Sequence, residues 1–357
     1  MEMFTFNPLR DKRWQEFVDR HPKASAFHDT GWLQALSQTY GYKPIVLTTA
    51  TSGQPLTNGI VLCQVSSWIT GTRLVSLPFA DHCEPLVSTP AEAQVFADWL
   101  RSECGRRKWK YVELRPRNAK IGSLQAGCAY CFHSLDLTPR LDEIFHRLHA
   151  SSIQRKIKRG RKEKLSVEIG RSPELLNQFY DLLLRTRRRH QLLPQPRAWF
   201  ENLIQCLGDK LQIRVASKDG IPIAAILTLW NGKSVMYKYG CSDERFHNMG
   251  GMPFLFWRLI EDAKAAGAEE IDFGRSDLHH KGLITFKDRF GATRKSLTYH
   301  RHTNASRMGV TRSLGLHLAQ RVLSILPNVL FITGGRLFYR HMGSVLLGSL
   351  AATLCNQ

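Results

Sequence analysis

Hydrophobic periodicity divides the first 140 residues into alternating helices and strands. Apolar positions three and four apart indicate helices, and alternating apolar and polar positions indicate strands. The predicted helices cover Trp14–Val18, Thr30–Tyr40 with Asp29 or Thr30 as N-cap, and Ala91–Arg107. The predicted strands cover Lys43–Ala50, Gly59–Val65, Arg73–Phe79, Trp109–Arg115 and Tyr130–Leu137.

The following residues predict a similar order of elements. Helices are expected at Leu141–Gly160, Glu174–Gln191 and Arg197–Cys206, and in the FLFWRLIEDAKAA segment that stops at Gly267. Strands are expected at Leu165–Ile169, Leu211–Ser217, Pro222–Trp230, Ser234–Cys241, Glu270–Arg275 and Lys295–His302. Asp219-Gly220 and Asn231-Gly232 separate apolar runs, and these dipeptides are strong hairpin signals.

One unit of this order occurs twice. Residues 91–116 and 252–276 each predict a helix, a stop containing glycine and then a strand, and each follows a hairpin-rich meander. The repetition predicts an α+β protein built from two tandem domains, at 1–140 and 141–305, with a helical tail at 306–357.

The positive charge is concentrated in three segments. The chain of 357 residues has a net charge of +20. Residues 147–164 contribute +7, and four arginines at 185 and 187–189 contribute +4. Nine Lys or Arg and no acidic residue follow Asp288. Such segments favour phosphates, nucleic acid or an anionic membrane, although solvated helix faces have the same composition.

Cysteine usage and hydropathy limit the class of protein. The eight cysteines include one C-x-x-C pair, Cys128 and Cys131, and no second pair at metal-ligand spacing. We therefore expect reduced thiols, no metal site and a cytoplasmic protein. No apolar run reaches 18 residues, and the N-terminal residues lack the pattern of a signal peptide.

A glycine-rich turn precedes the predicted helix at Pro253. The order of meander, strand, glycine-rich turn, helix and strand is similar to that of GNAT acyltransferases. In that fold the turn and the helix N-terminus bind the phosphates of the acyl donor. Here Gly250 and Gly251 allow close approach of an anion, and Arg245 adds a charge, so we expect these three residues to bind the donor. A simple helix-start loop has the same composition.

The segment Ile271–Gly291 carries a more specific signal. It contains D-F-G-R-S at 272–276, Gly282, F-K at 286–287 and F-G at 290–291. With S-L-P-F at 76–79 and the basic run at 151–159, it resembles FemAB/FemX-like proteins, relatives of the peptidoglycan aminoacyltransferases with two tandem GNAT domains. The closest resemblance is to FemAB-like proteins of exopolysaccharide and PEP-CTERM gene systems. The resemblance covers nearly the whole chain.

The resemblance implies roles for particular residues. Lys287 would stabilise the developing oxyanion or contact a phosphate. A tyrosine hydroxyl can protonate the leaving group, and Tyr237 and Tyr239 are expected on one strand face, with Tyr239 as the catalytic candidate. The expected acceptor-binding residues are Arg275, Ser276, Phe286, Arg155, Arg159 and Asp81.

Two departures from the family concern the acceptor. His82-Cys83-Glu84 replaces the usual glycine turn after Asp81, and the spacer 277–281 differs from the usual Lys-rich and Gly-rich loop. The identity of the acceptor is therefore left open.

The resulting hypothesis is an N-acyltransferase. It would move an acyl group, from acyl-CoA or an aminoacyl carrier, directly to an amine on a cell-envelope or exopolysaccharide precursor, with no tightly bound cofactor. The alternatives are a ligase that uses aminoacyl-tRNA and a non-catalytic phosphate- or RNA-binding scaffold. The basic tail, with apolar runs Val322–Leu326 and Val345–Leu350, either contacts an anionic membrane peripherally or packs on the first domain.

Overall fold

The structure divides into two compact units. It is a computed structural model that describes residues 2–68, 71–119, 121–303 and 327–342. The first unit holds the described residues up to Tyr130, with 296–303 and 336–342, and the second holds 131–295 and 327–335. The expected apolar runs Val322–Leu326 and Val345–Leu350 lie outside the described residues.

The first unit is a meander followed by a helix and a strand. Its strands are β1 (Phe4–Phe6), β2 (Lys43–Thr48), β3 (Ile60–Val65), β4 (Arg73–Val75), β5 (Tyr111–Leu114), the first half of β6 (Gln125–Asp136) and most of β12 (Thr293–Thr303). They are hydrogen-bonded in the order β1-β2-β3-β4-β5-β12-β6. Its helices are α1 (Arg13–Arg20), α2 (Thr30–Tyr40) and α3 (Pro90–Arg106).

Local signals in the sequence account for these helices. Asp29 caps α2 by accepting from the Gly31 amide at 2.7 Å, as predicted. Thr89 and Glu92 form a capping box at the start of α3, and Pro90 occupies its first turn. The apolar face of α3, including Phe96 and Leu100, packs in the core of the unit with strand residues of β3 and β5.

The second unit repeats this plan. Its strands are β7 (Ser166–Gly170), β8 (Leu211–Lys218), β9 (Ile221–Asn231), β10 (Ser234–Ser242) and β11 (Glu270–Asp277), in the order β6-β11-β10-β9-β8-β7. Its helices are α4 (Leu141–Arg147), α5 (Arg155–Lys162), α6 (Pro173–Arg189), α7 (Arg197–Leu207), α8 (Gly251–Ala265) and α9 (Lys281–Asp288). A last helix, α10 (Asn328–Met342), has its first half in this unit and its second half in the first unit.

The predicted repeat is confirmed by strand pairing. In the first unit α3 connects β4 to β5, and these two strands pair in parallel. In the second unit α8 connects β10 to β11, which also pair in parallel. The hairpin predicted at Asp219-Gly220 is confirmed, since both residues have positive φ between β8 and β9.

One expectation about a helix was wrong. The single helix expected over Leu141–Gly160 is interrupted, because Leu148 and His149 are extended. Leu148 is buried there, and a π-helical turn at Ala150–Gln154 precedes α5. The segment around Lys287 is the helix α9. No helix of the described residues is both long and apolar enough to cross a bilayer.

Candidate active site

Strands β10 and β11 separate part way along their length. Their parallel pairing covers only Ser234–Met236 and Glu270–Asp272. Beyond that point β10 bulges at Lys238, because Tyr237 and Tyr239 pair with the consecutive residues Thr228 and Leu227 of β9. The splayed strands open the sheet next to the N-terminus of α8.

A cavity of about 360 Å³ lies at the N-terminus of α8. Gly251, Met252 and Pro253 form its edge on the helix, and Ser242 at the end of β10 forms another part of the wall. The first turn of an α-helix has backbone N–H groups without intrahelical partners, and its dipole favours an anion. The cavity is therefore suited to a phosphate group.

Gly250 fixes the turn that opens the cavity. Its φ is +78°, a left-handed conformation that favours glycine, and its carbonyl accepts the Phe254 amide at 3.0 Å to begin α8. A Cβ at this position would overlap the Lys156 carbonyl of α5. Gly251 lines the cavity directly. Both expected donor-binding glycines thus lie at this turn, with α5 packed against it.

The expected donor ligand Arg245 has another partner. Its guanidinium forms a bidentate pair with Asp243, with Nε–Oδ1 at 3.0 Å and Nη2–Oδ2 at 2.6 Å, and it is not among the lining residues. The side-chain hydrogen bond from Arg245 holds the pKa of the Asp243 carboxyl below its usual value. The Asp243 carboxylate therefore offsets the positive charge of Arg245, which the sequence suggested would bind the donor.

The two cationic residues on the cavity wall were not predicted from the sequence. Lys156 of α5 and Arg289, just after α9, both line the cavity. Lys156 lies in the basic run of 147–164, but only the packing of α5 against the Gly250 turn shows which side chain of that run faces the cavity.

Ser242 and His247 form a polar pair on the same wall. Ser242 Oγ lies 2.9 Å from His247 Nε2, and Arg189 Nη1 lies 3.4 Å from the same nitrogen. Since arginine can only donate, Nε2 is the accepting nitrogen. Burial, followed by the charges of Arg189 and Lys156, lowers the pKa of His247. The pair therefore offers a neutral imidazole and an oriented hydroxyl.

Tyr237 and Tyr239 do not share a strand face, contrary to expectation. The bulge at Lys238 places them on opposite sides of β10. Tyr237 contacts Phe256 of α8, whereas the buried Tyr239 contacts Phe200 of α7. The Tyr239 hydroxyl accepts a hydrogen bond from Trp199 Nε1 at 2.9 Å. Tyr239 thus lies in the packing beneath α7, and it is not among the residues that line the cavity.

Lys287 is buried on α9, and its neighbour Phe286 reaches the cavity. The Lys287 side chain is 2% exposed, and Nζ donates to the carbonyls of Gly274 and Arg275, each at 3.2 Å. It thereby holds the bend at the end of β11, where Gly274 has a φ of +68°. Phe286 lines the cavity and packs on Phe290.

The C-terminal end of α9 is anchored by Asp288. Its Oδ1 lies 3.0 Å from Nε2 of the fully buried His133 on β6, and its other oxygen accepts from Arg294. Burial lowers the pKa of His133, with a smaller contribution from the charge of Lys287. This anchor fixes the adjacent Lys287 and the end of β11 that it holds.

Besides Phe286, the expected acceptor-binding residues fall in three places. Arg275 and Ser276 lie at the end of β11, where the buried Ser276 Oγ has no hydrogen-bond partner among the described residues. Arg155 and Arg159 are exposed on α5, and Arg159 pairs with Glu163. Asp81 lies in the first unit, where its carbonyl accepts the Tyr299 hydroxyl at 2.6 Å.

Comparison with known proteins identifies the domain that contains the cavity. Residues 147–282 match the acetyltransferase (GNAT) domain family. No curated protein matches the chain significantly. Residues 147–282 all lie in the second unit, with its splayed β10 and β11 and the glycine turn before α8.

Solved structures share the fold over most of the chain. FemX is 15% identical, with a TM-score of 0.67 and coverage of 85% of this chain and 98% of FemX. The C-terminal domain of a putative lysylphosphatidylglycerol synthetase from Agrobacterium fabrum is 15% identical, with a TM-score of 0.56 and coverage of 91% and 97%. A tandem GNAT protein from the clavulanic acid biosynthesis pathway is 10% identical, with a TM-score of 0.52 and coverage of 86% and 99%.

Proposed function

We propose that this protein, an acyltransferase with a GNAT domain at residues 147–282, is an N-acyltransferase that acts on a cell-envelope or exopolysaccharide precursor. It would transfer the acyl group directly from a bound donor, acyl-CoA or an aminoacyl carrier, to an amine of the acceptor. The observation that carries the proposal is the cavity at the N-terminus of α8, with cationic side chains on its wall.

Donor phosphates would bind at the first turn of α8. The amide groups of Gly251 and Met252 belong to that turn, and Pro253 lacks an N–H that would need a partner. Lys156 and Arg289 would add charge-assisted hydrogen bonds from two other elements. Three independent sources of positive potential on one small cavity support a ligand that carries phosphate.

The chemical step is nucleophilic addition of the acceptor amine to the donor carbonyl. Negative charge grows on the carbonyl oxygen, and collapse of the tetrahedral intermediate expels a thiolate or an alkoxide, which takes up the proton that the attacking amine loses. Lys287 would supply a fixed positive charge at the end of β11 and would hold the Gly274 and Arg275 backbone in place for the acceptor. The two carbonyls at 3.2 Å support this positioning role.

The acceptor would bind beside the end of β11. The unsatisfied hydroxyl of Ser276 supports a polar ligand there, and Arg155 and Arg159 would favour one that carries negative charge. Asp81 of the first unit stays a proposed acceptor ligand. The putative lysylphosphatidylglycerol synthetase with a similar fold is named for an aminoacylated membrane lipid, which supports an envelope acceptor.

The compact helices of the second unit favour a small donor over tRNA. Family members that bind tRNA often insert a long coiled-coil pair in this region. Here α6 and α7 pack on the sheet instead, and Phe200 contacts both Phe179 and Tyr239. Use of aminoacyl-tRNA therefore stays the second candidate, and a non-catalytic scaffold is the third.

Transfer assays with separate donors distinguish these candidates. Labelled acetyl-CoA and labelled aminoacyl-tRNA are offered in turn to the wild type, to Lys287→Met and to Lys287→Arg, with candidate amine acceptors. We expect transfer from acetyl-CoA, a kcat lower by about 10²–10³-fold in Lys287→Met and partial activity in Lys287→Arg.

Thermal unfolding of both variants separates loss of fold from loss of rate, because Lys287 is buried. A folded Lys287→Met variant with the wild-type rate would reject the role of Lys287. Transfer from aminoacyl-tRNA alone would select the second candidate, and transfer from neither donor would favour the scaffold.

A further inference from the structure

A group of large apolar side chains is exposed on the first unit. Trp68 is 88% exposed, Leu337 of α10 is 62% exposed and Phe338 is 49% exposed. Single exposed apolar residues are common, but adjacent ones of this size mark interaction surfaces. We call the group of Trp68, Leu337, Phe338, Arg336 and Arg340 the tryptophan patch.

His341 of α10 connects Trp68 to the helix that carries the other members of the patch. The Trp68 indole packs edge-on against the His341 imidazole, with ring centroids 5.8 Å apart. Leu337 precedes His341 by four residues on α10, so both side chains lie on the same side of the helix. Trp68 and Leu337 therefore belong to one surface, although 269 positions separate them in the sequence.

The second half of α10, which carries the patch residues of this helix, is firmly attached to the first unit. Tyr339 is 1% exposed and packs on Phe79, with ring centroids 5.8 Å apart. The Tyr42 hydroxyl donates to the Tyr339 and Arg340 carbonyls, and Arg73 donates to the His341 carbonyl at 2.9 Å. The apolar side chains are thus presented to solvent by a helix whose opposite face is packed.

The positive charge around the patch favours an anionic partner. Arg336 and Arg340 are exposed and four residues apart on α10, and no acidic residue follows Asp288 in the chain. Tryptophan prefers the interface between lipid and water, and arginine is attracted to anionic headgroups. A basic helix with exposed Leu and Phe is typical of a segment that lies in the plane of a membrane surface.

We propose that the tryptophan patch docks the protein on the surface of an anionic lipid bilayer. Trp68, Leu337 and Phe338 insert at the level of the headgroups, and Arg336 and Arg340 contact lipid phosphates. This surface differs from the apolar runs of the tail that the sequence suggested. It does not depend on the proposed acyl transfer, so vesicle binding and catalysis can fail separately.

Co-sedimentation of the full chain with vesicles tests the proposal. The wild type is expected to bind vesicles that contain phosphatidylglycerol and to bind vesicles of phosphatidylcholine alone only weakly. Trp68→Gln and Leu337→Gln should each weaken binding roughly tenfold, because a large apolar side chain is no longer inserted. Arg336→Gln and Arg340→Gln should each weaken it about fivefold at low salt.

Ile221→Gln is the matched control. Ile221 is an exposed aliphatic residue, at 53%, and it lies on β9 of the second unit. This variant should bind vesicles as the wild type does, and thermal unfolding should show all variants folded.

Three results would overturn the proposal. The first is absence of wild-type binding to anionic vesicles. The second is wild-type affinity in a Trp68→Gln and Leu337→Gln double variant. The third is concentration-dependent self-association that Leu337→Gln abolishes without any vesicle binding, which would assign the patch to a second copy of the chain.

Discussion

The two units repeat one plan, but the buried ion pairs of the first unit contrast with the partly exposed cations at the cavity of the second. In the first unit Glu113 is 1% exposed and pairs with Arg115, at 2.9 Å, and with Arg301. Arg115 also donates to the Leu77 and Ala80 carbonyls, each at 3.0 Å. These charges satisfy one another within the unit. In the second unit the half-buried Lys156 and the exposed Arg289 instead line a cavity.

Charges of these two kinds have different effects, one on the stability of the fold and the other on ligand binding. A buried charge with complete partners contributes to the folded state, and removal of one partner leaves another charge uncompensated. A cation at a cavity contributes little to folding and is available to an anionic ligand. We therefore expect substitutions in the first unit to change mainly unfolding and those at the cavity to change mainly donor affinity.

The largest expected effect on stability is at Glu113. Burial opposes ionisation of this carboxyl, but the charges of Arg115 and Arg301 outweigh that effect and hold its pKa below the usual value. Glu113→Gln should lower the free energy of unfolding by about 3–5 kcal/mol, because it leaves two arginines without their anion. Chemical denaturation measures the change.

The control for Glu113 is Glu201→Gln, which removes an exposed ion pair with Arg197. It should cost about 0–1 kcal/mol. Equal effects of the two substitutions would contradict the contrast between buried and exposed pairs.

The next effect is a pH dependence that originates in the first unit. Burial lowers the pKa of His28 to about 4. The unfolded chain then binds the proton more readily, so stability falls as the pH drops from about 6.5 towards 4. The loss should reach about 3 kcal/mol at 1.36 kcal/mol per pH unit.

Comparison with His28→Gln isolates this contribution. Burial also lowers the pKa of His133 and His247, but these histidines are unchanged in the variant. The free energy of unfolding is measured for both proteins across this pH range. Parallel curves for wild type and variant would show that His28 does not titrate in this way.

A smaller effect on stability is expected at the Gly250 turn, together with a change in the donor KM. Gly250→Ala places a Cβ at a φ of +78° and against the Lys156 carbonyl. The conformation alone costs about 1–2 kcal/mol, and relief of the overlap should displace α5 and raise the donor KM. Kinetics and denaturation are measured together.

Gly267→Ala provides the comparison, because Gly267 has a φ of +79° with open space around its Cβ position. It should show the conformational cost with an unchanged donor KM. An equal rise of KM in both variants would remove the special role of the Gly250 turn.

The order of elements could be predicted from the sequence more fully than the site. Short-range signals such as the Asp29 cap and the Asp219-Gly220 turn act between neighbouring residues, and they predicted α2 and the β8–β9 hairpin. The bulge at Lys238 depends on pairing with β9, which no local pattern encodes. The expectation that Tyr237 and Tyr239 share a face therefore failed.

Side-chain orientation limited the prediction of the site in a similar way. Arg245 was predicted to bind the donor, but its guanidinium pairs with Asp243 instead. Lys156 was one of eight basic residues in its segment, and its place on the wall depends on packing between α5 and the Gly250 turn. Gly250 could be predicted because the turn before α8 requires a left-handed backbone, which favours glycine.

The most direct test of the central claim, that the cavity binds the donor's phosphates, compares two lysines on α5. Lys156 lines the cavity, whereas Lys158 is exposed on the same helix and does not. With the donor that supports transfer, Lys156→Met should raise the donor KM about tenfold or more, and Lys158→Met should leave it unchanged. An equal KM for both variants and the wild type would contradict the account.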